Sequence, residues 1–104
     1  MKLISHRGNI NGKKPELENK PEYVFKALKL GYDVEVDVWF DGGEFYLGHD
    51  NPKYKITAPF IENDKIWCHA KNIMALNEMK KINDRFGYGL HYFWHQNDDV
   101  TITS

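Results

Sequence analysis

Apolar and polar positions along the chain follow two rhythms, and the switches between them predict the elements. Met1 to Ser5 is a short apolar segment that predicts a buried first strand and runs straight into His6-Arg7-Gly8. Asn9 to Lys20 is polar, with Asn11-Gly12 and Pro15 as turn signals. Asn19 followed three residues later by Glu22 resembles a capping box, and Pro21 suits the first turn of a helix. Val24, Ala27 and Leu28 then recur at helical spacing until Gly31 stops the helix. From Tyr32 to Phe40 the period drops to two: Val34, Val36 and Val38 alternate with Glu35, Asp37 and Trp39, which predicts a strand. Asp41-Gly42-Gly43 predicts a tight turn, and Glu44 to Leu47 the return strand of a hairpin.

A polar loop, Gly48-His49-Asp50-Asn51-Pro52, closes that hairpin, and a less regular stretch follows to Asp64. Lys65 to Ala70 predicts another buried strand. Asn72 to Ile82 predicts a helix, with Ile73, Leu76, Met79 and Ile82 three apart. Arg85 to Gly89 is a turn, Leu90 to His95 a further strand, and Thr101-Ile102-Thr103 the start of one more. Strands alternating with helices argue for parallel βα units. The expected fold is therefore α/β: a partial TIM (β/α) barrel, its first four to five strands parallel, with a hairpin inserted after strand 2. A complete barrel takes about 250 residues. Residues 1–104 are accordingly expected to be a single domain, the N-terminal part of such a barrel.

Composition narrows the function classes. The 14 basic and 15 acidic residues leave a formal net charge of -1, so the basic excess typical of a nucleic-acid binder is missing. No apolar run approaches the roughly 20 residues of a spanning helix. The opening Met-Lys-Leu-Ile-Ser-His-Arg-Gly places only two apolar residues ahead of polar ones, unlike a signal peptide. Cys68 is the only cysteine, which excludes an internal disulfide and favours a reducing, cytoplasmic compartment.

Ionisable groups fall repeatedly at the expected strand ends, where barrel enzymes place their sites. His6 and Arg7 follow the first strand, and Glu35 and Asp37 lie two apart on the second, so their carboxylates share a face. His49 follows the hairpin. His69 and Lys71 are two apart on the next strand, and His91 and His95 bracket the one after. Each also has a plain structural reading. A Glu-x-Asp on a strand can face solvent, Lys71 can flank a helix, His91 can sit on the surface, and Asn19 can cap a helix. Against the solvent reading, carboxylates on a buried strand are costly unless a cation or hydrogen bonds compensate them, and this spacing suits Mg²⁺ or Ca²⁺.

His6-Arg7-Gly8, Glu18-Asn19, Glu35-Val36-Asp37 and His49-Asp50 together resemble, in order and approximate spacing, the HRG…EN…ExD…HD signature of the glycerophosphodiester phosphodiesterases. That family belongs to the phospholipase-C-like phosphodiesterase superfamily, and the resemblance covers about the first 50 residues. It implies a metal-dependent phosphodiester hydrolase in which His6 and His49 are the catalytic acid–base pair. It further implies Arg7 as a phosphate contact and Glu35 and Asp37 as ligands of a divalent metal. Phosphodiester cleavage needs such a set: a base for the attacking oxygen, an acid for the leaving one, and positive charge on the phosphate.

On the third strand the family carries Glu-x-Lys, with the Glu on the metal and the Lys on phosphate; here it is His69-Ala70-Lys71. The resemblance implies Lys71 as the substrate-binding cation. Mg²⁺ or Ca²⁺ is the expected metal, and His69 as third ligand leaves two alternatives, a softer metal or weakened metal binding. The expected partner is a small phosphodiester, with no nucleic acid and no membrane span, and with self-association through an open sheet edge. Two rivals stand beside this reading. One is a truncated or degenerate, non-catalytic phosphate-binding fragment. The other is a zinc hydrolase, disfavoured because His6 lacks a His-x-His partner.

Overall fold

A computed structural model describes residues 3–10, 12–86, 90–97 and 100–103. In chain order the elements are β1 (Ile4–His6), α1 (Pro21–Lys29), β2 (Asp33–Asp41), β3 (Glu44–Leu47), β4 (Tyr54–Ile56), α2 (Ala58–Ile61), β5 (Ile66–Ala70), α3 (Ile73–Phe86), β6 (His91–Asn97) and β7 (Val100–Thr103). The strands form one sheet in the order β4-β3-β2-β5-β6-β7, with β1 also beside β2.

The expectation of a parallel barrel portion is overturned. The chain is a small α/β domain on a mixed sheet: β1–β2, β2–β5 and β5–β6 pair parallel, but β2–β3, β3–β4 and β6–β7 pair antiparallel. Connection length explains the last reversal. A parallel neighbour needs a crossover of about a dozen residues, and Val100 follows the end of β6 at Asn97 too closely for one. At the other flank the Asp41-Gly42-Gly43 turn sends β3 back along β2, and β4, in the stretch read as irregular, extends that antiparallel flank.

Burial follows the period-two alternation of β2. Val34, Val36 and Val38 are fully buried and share the core with Ile66, Cys68 and Ala70 of β5, Val24 and Ala27 of α1, Ala75 and Met79 of α3, and Ile61 of α2. Each buried valine contributes about 1.5–3 kcal/mol relative to exposure. Burial also pushes the Cys68 thiol up, so it serves as a small core residue, not a nucleophile. With one face of β2 spent on the core, Glu35 and Asp37 are left on the other.

The expected cap of α1 is also corrected. The residue ahead of the helix is Lys20, with no side-chain capping bond. Asn19 lies one position earlier in the left-handed region, φ 66°, and its side chain goes elsewhere.

Candidate functional site

The site grows out of a gap in the sheet. β1 pairs with β2 from Asp33 to Glu35, and β3 pairs on the same side only from Val38 onward. Between them the outward backbone groups of β2 have no strand to meet, and buried backbone groups must find partners. Loop residues supply them. Arg7 N–H donates to the Glu35 carbonyl at 2.6 Å, Gly48 N–H donates to the Asp37 carbonyl at 3.1 Å, and the Asn19 side-chain Oδ1 accepts the Asp37 N–H at 2.9 Å. Two ends of the β1–α1 loop and the start of the β3–β4 loop are thereby stitched to one point of β2.

Two glycines permit this closeness. Gly8 has φ 90°, and a Cβ there would stand 2.8 Å from Cδ2 of Tyr23. Such a conformation and such a contact both favour glycine. At Gly48 a Cβ would collide with the backbone carbonyl of Asn51. The His49 loop is pinned further by the Trp39 indole, which donates to the Gly48 carbonyl at 2.7 Å.

Asp37, 1% exposed, is the centre of the arrangement. Its Oδ2 accepts from Arg7 Nε at 2.8 Å and from Asn19 Nδ2 at 3.0 Å, and His49 Nδ1 stands 3.5 Å away. Its Oδ1 pairs with His69 Nδ1 at 3.1 Å. Burial alone would push this carboxyl up. Hydrogen bonds from His69 and Asn19, and the charges of Arg7 and Lys71, outweigh that and hold it well below the usual carboxylate range. Arg7, itself at φ 58°, is held on a second side where Nη1 donates to Glu18 Oε1 at 3.2 Å. Glu18 Oε2 accepts from Asn9 Nδ2 at 2.9 Å, and Tyr23 donates to Asn9 Oδ1 at 3.1 Å.

Two positions before Asp37, Glu35 Oε1 pairs with Nδ1 of His6 at 3.2 Å. His6 is 70% exposed at its side chain and His49 47%, so both imidazoles reach solvent. His6 and Arg7 line a cavity of about 440 Å³ together with Ile4, Asn9 and Lys13. His49 lines a separate one of about 160 Å³ with Glu18, Asp50 and Tyr54. Lys71 leaves β5 on the same side, its N–H bonded to the Val38 carbonyl at 2.8 Å. His69 stacks on Phe93 at 5.0 Å and His91 on Trp67 at 4.2 Å, while the His95 side chain lies outside those described.

His6, Arg7, His49, His69 and Lys71 are thus gathered around the carboxylates of β2. The three expected metal ligands are not gathered around one point: His69 and Arg7 take Asp37, while Glu35 turns to His6. Among the described residues no group of three or more His, Cys, Asp or Glu side chains is arranged to hold a metal ion. As placed, the cation demand of Asp37 is met by protein, and the arrangement does not fit the ion.

Comparisons with protein-family models, curated proteins and solved structures give no match. Among the described residues no helix is long and apolar enough to cross a membrane. Sequence reasoning assigned no role to Glu18, Asn9 or Tyr23 and took Asn19 for a helix cap. The only signal for the first and last of these was the Glu18-Asn19 pair within the resemblance.

Proposed function

We propose that this site binds a small phosphodiester and cleaves it by acid–base catalysis. The observation that carries the proposal is the placement of two imidazoles, His6 and His49, against carboxylates two residues apart on one face of β2, with Arg7 bonded to the same Asp37 oxygen that His49 faces. Each ring faces its carboxylate through Nδ1, which leaves Nε2 as the nitrogen for substrate; His49 Nε2 stands 3.8 Å from Asp50 Oδ1 and would leave it on binding. On a substrate that spans the two openings lined by His6 and by His49, one imidazole takes the proton of the attacking hydroxyl, from water or from a neighbouring group of the substrate. The other returns a proton to the departing alkoxide as its P–O bond breaks. Arg7 and Lys71 bring positive charge to the phosphate, the guanidinium offering a planar fork that matches its oxygens.

A divalent ion, Mg²⁺, Ca²⁺ or a softer metal, would supply further charge neutralisation when bound. Glu35, Asp37 and His69 would have to give up their present partners to hold it, so no step above depends on it. The single buried cysteine fits a cytoplasmic setting, and the outer edge of β7, which with β4 ends the strand order, is one edge open to self-association.

³¹P NMR of bis(p-nitrophenyl) phosphate and of a glycerophosphodiester incubated with the protein, with and without Mg²⁺, Ca²⁺ or Zn²⁺, tests the proposal. Conversion to monoester, or to a cyclic phosphate, is expected. Inorganic phosphate binding with no conversion under any condition would favour the non-catalytic phosphate-binding reading instead.

A further inference from the structure

We infer that Asn19 is a positioning residue of this site: its side-chain amide fixes the backbone and the carboxylate of Asp37 together, and through Asp37 it sets where Arg7 and His69 stand. The gap in the ladder of β2 poses two demands at one residue. The Asp37 N–H needs an acceptor where neither β1 nor β3 reaches, and the Asp37 Oδ2 needs a donor beside Arg7. A carboxamide is the side chain that offers an acceptor and a donor in one rigid fork. Asn19 meets the demands at 2.9 and 3.0 Å and is fully buried in doing so. Because both ends of the amide are engaged, it locks the χ angles of Asp37, not merely its charge.

The backbone of Asn19 is shaped for the same task. Its left-handed φ of 66° is uncommon for a side-chain-bearing residue, and Asn is among the few that tolerate it. That conformation turns its N–H onto the Arg7 carbonyl at 3.0 Å, while Arg7, at φ 58°, turns its guanidinium onto the same Asp37 oxygen. Two left-handed residues 12 positions apart are thus joined by one backbone bond and meet again at one carboxylate oxygen. If Asn19 let go, Asp37 could rotate about χ1, and its bonds to Arg7 and to His69 Nδ1 would go with it. A displacement of about 1 Å at such groups costs up to 10²-fold in rate.

This inference deepens the phosphodiester reading and rests on it for its kinetic arm alone. The test uses Asn19→Gly, which keeps the left-handed backbone unstrained and removes the amide, and Asn19→Asp, which keeps the acceptor and loses the donor. In each, the ring nitrogens of His69 are followed by ¹⁵N–¹H NMR, and kcat and KM are measured on bis(p-nitrophenyl) phosphate. Expected in the folded variants are a shifted or lost Nδ1–H signal of His69 and a kcat lowered about tenfold or more. Unchanged His69 signals with unchanged kcat in folded Asn19→Gly would overturn the inference. If that variant does not fold, Asn19→Asp decides by the same signals, and loss of fold in both would reduce Asn19 to a structural residue and overturn it too. Should the wild-type protein cleave nothing, the phosphodiester reading fails while the His69 signals still decide the role of Asn19.

Discussion

Asn19 holds Asp37 at two atoms, accepting its backbone N–H at 2.9 Å and donating to its Oδ2 at 3.0 Å, across 18 residues of sequence. The consequence is that a buried carboxylate, ordinarily a liability, becomes the point on which two loops and the charges of Arg7 and Lys71 agree. Stability and site geometry therefore depend on the same residue, and the expected outcomes below separate the two.

Stability should fall in acid because of Asp37. Its pKa is held below the unfolded carboxylate value of about 3.9. The stabilisation is therefore fully present above that value and lost as pH falls through and below it. Urea melts from pH 6 down to pH 2 are expected to show the loss, and Asp37→Asn should flatten it while costing about 3–5 kcal/mol at pH 7. Stability that rises as pH drops through 4 would contradict the assignment.

Gly8→Ala should damage the site without touching a polar group. The new Cβ meets Tyr23 at 2.8 Å, and φ 90° strains any side-chain-bearing residue. A loss of about 1–3 kcal/mol is expected in chemical denaturation, together with weaker binding of inorganic phosphate, because Arg7 is the neighbouring residue. Wild-type stability and affinity would show that the close approach at Gly8 is unimportant.

Divalent cation binding should be linked to phosphate. With Arg7 and His69 on Asp37, little Mg²⁺ or Ca²⁺ should bind the phosphate-free protein. A phosphate that draws Arg7 off Oδ2 would free that oxygen, so each ligand should tighten the other by the same factor. Calorimetric titrations with and without phosphate, on wild type and Glu35→Gln, measure this. Equal ion affinity in the two conditions would contradict it.

Self-association, if the β7 edge carries it, should be concentration-dependent and weakened by Ile102→Lys, since edge lysines block strand addition. Sedimentation velocity over a hundredfold concentration range reads the outcome. An unaltered distribution in the variant would remove that edge from consideration.

Elements whose signals are local were readable in the sequence. The Val34-Val36-Val38 alternation, the Asp41-Gly42-Gly43 turn and the three-apart apolar residues of α3 carry their own periodicity, and each corresponds to an element of the sheet or its helical layer. What was hidden depends on distant partners. β4 is three residues long and includes a lysine paired to Glu44, too short for any period to show. The direction of β7 is set by the shortness of its connection to β6, not by its composition. At the site, the sharing of a face by Glu35 and Asp37 was legible from their spacing. The partners of Asp37 were not, because Asn19-Lys20-Pro21-Glu22 reads locally as a helix start and nothing in it points to a residue 18 positions away.

The acid–base assignment is tested most directly by comparing turnover of a phosphodiester by wild type, His6→Ala, His49→Ala and the double variant, with folding of each checked by near-UV circular dichroism. Each single change is expected to lower kcat about 10²-fold or more. The double variant should fall by less than the product of the singles, as residues acting in one step do. Full turnover in either folded single variant would contradict the assignment of that histidine, and full turnover in both would remove the site from β2.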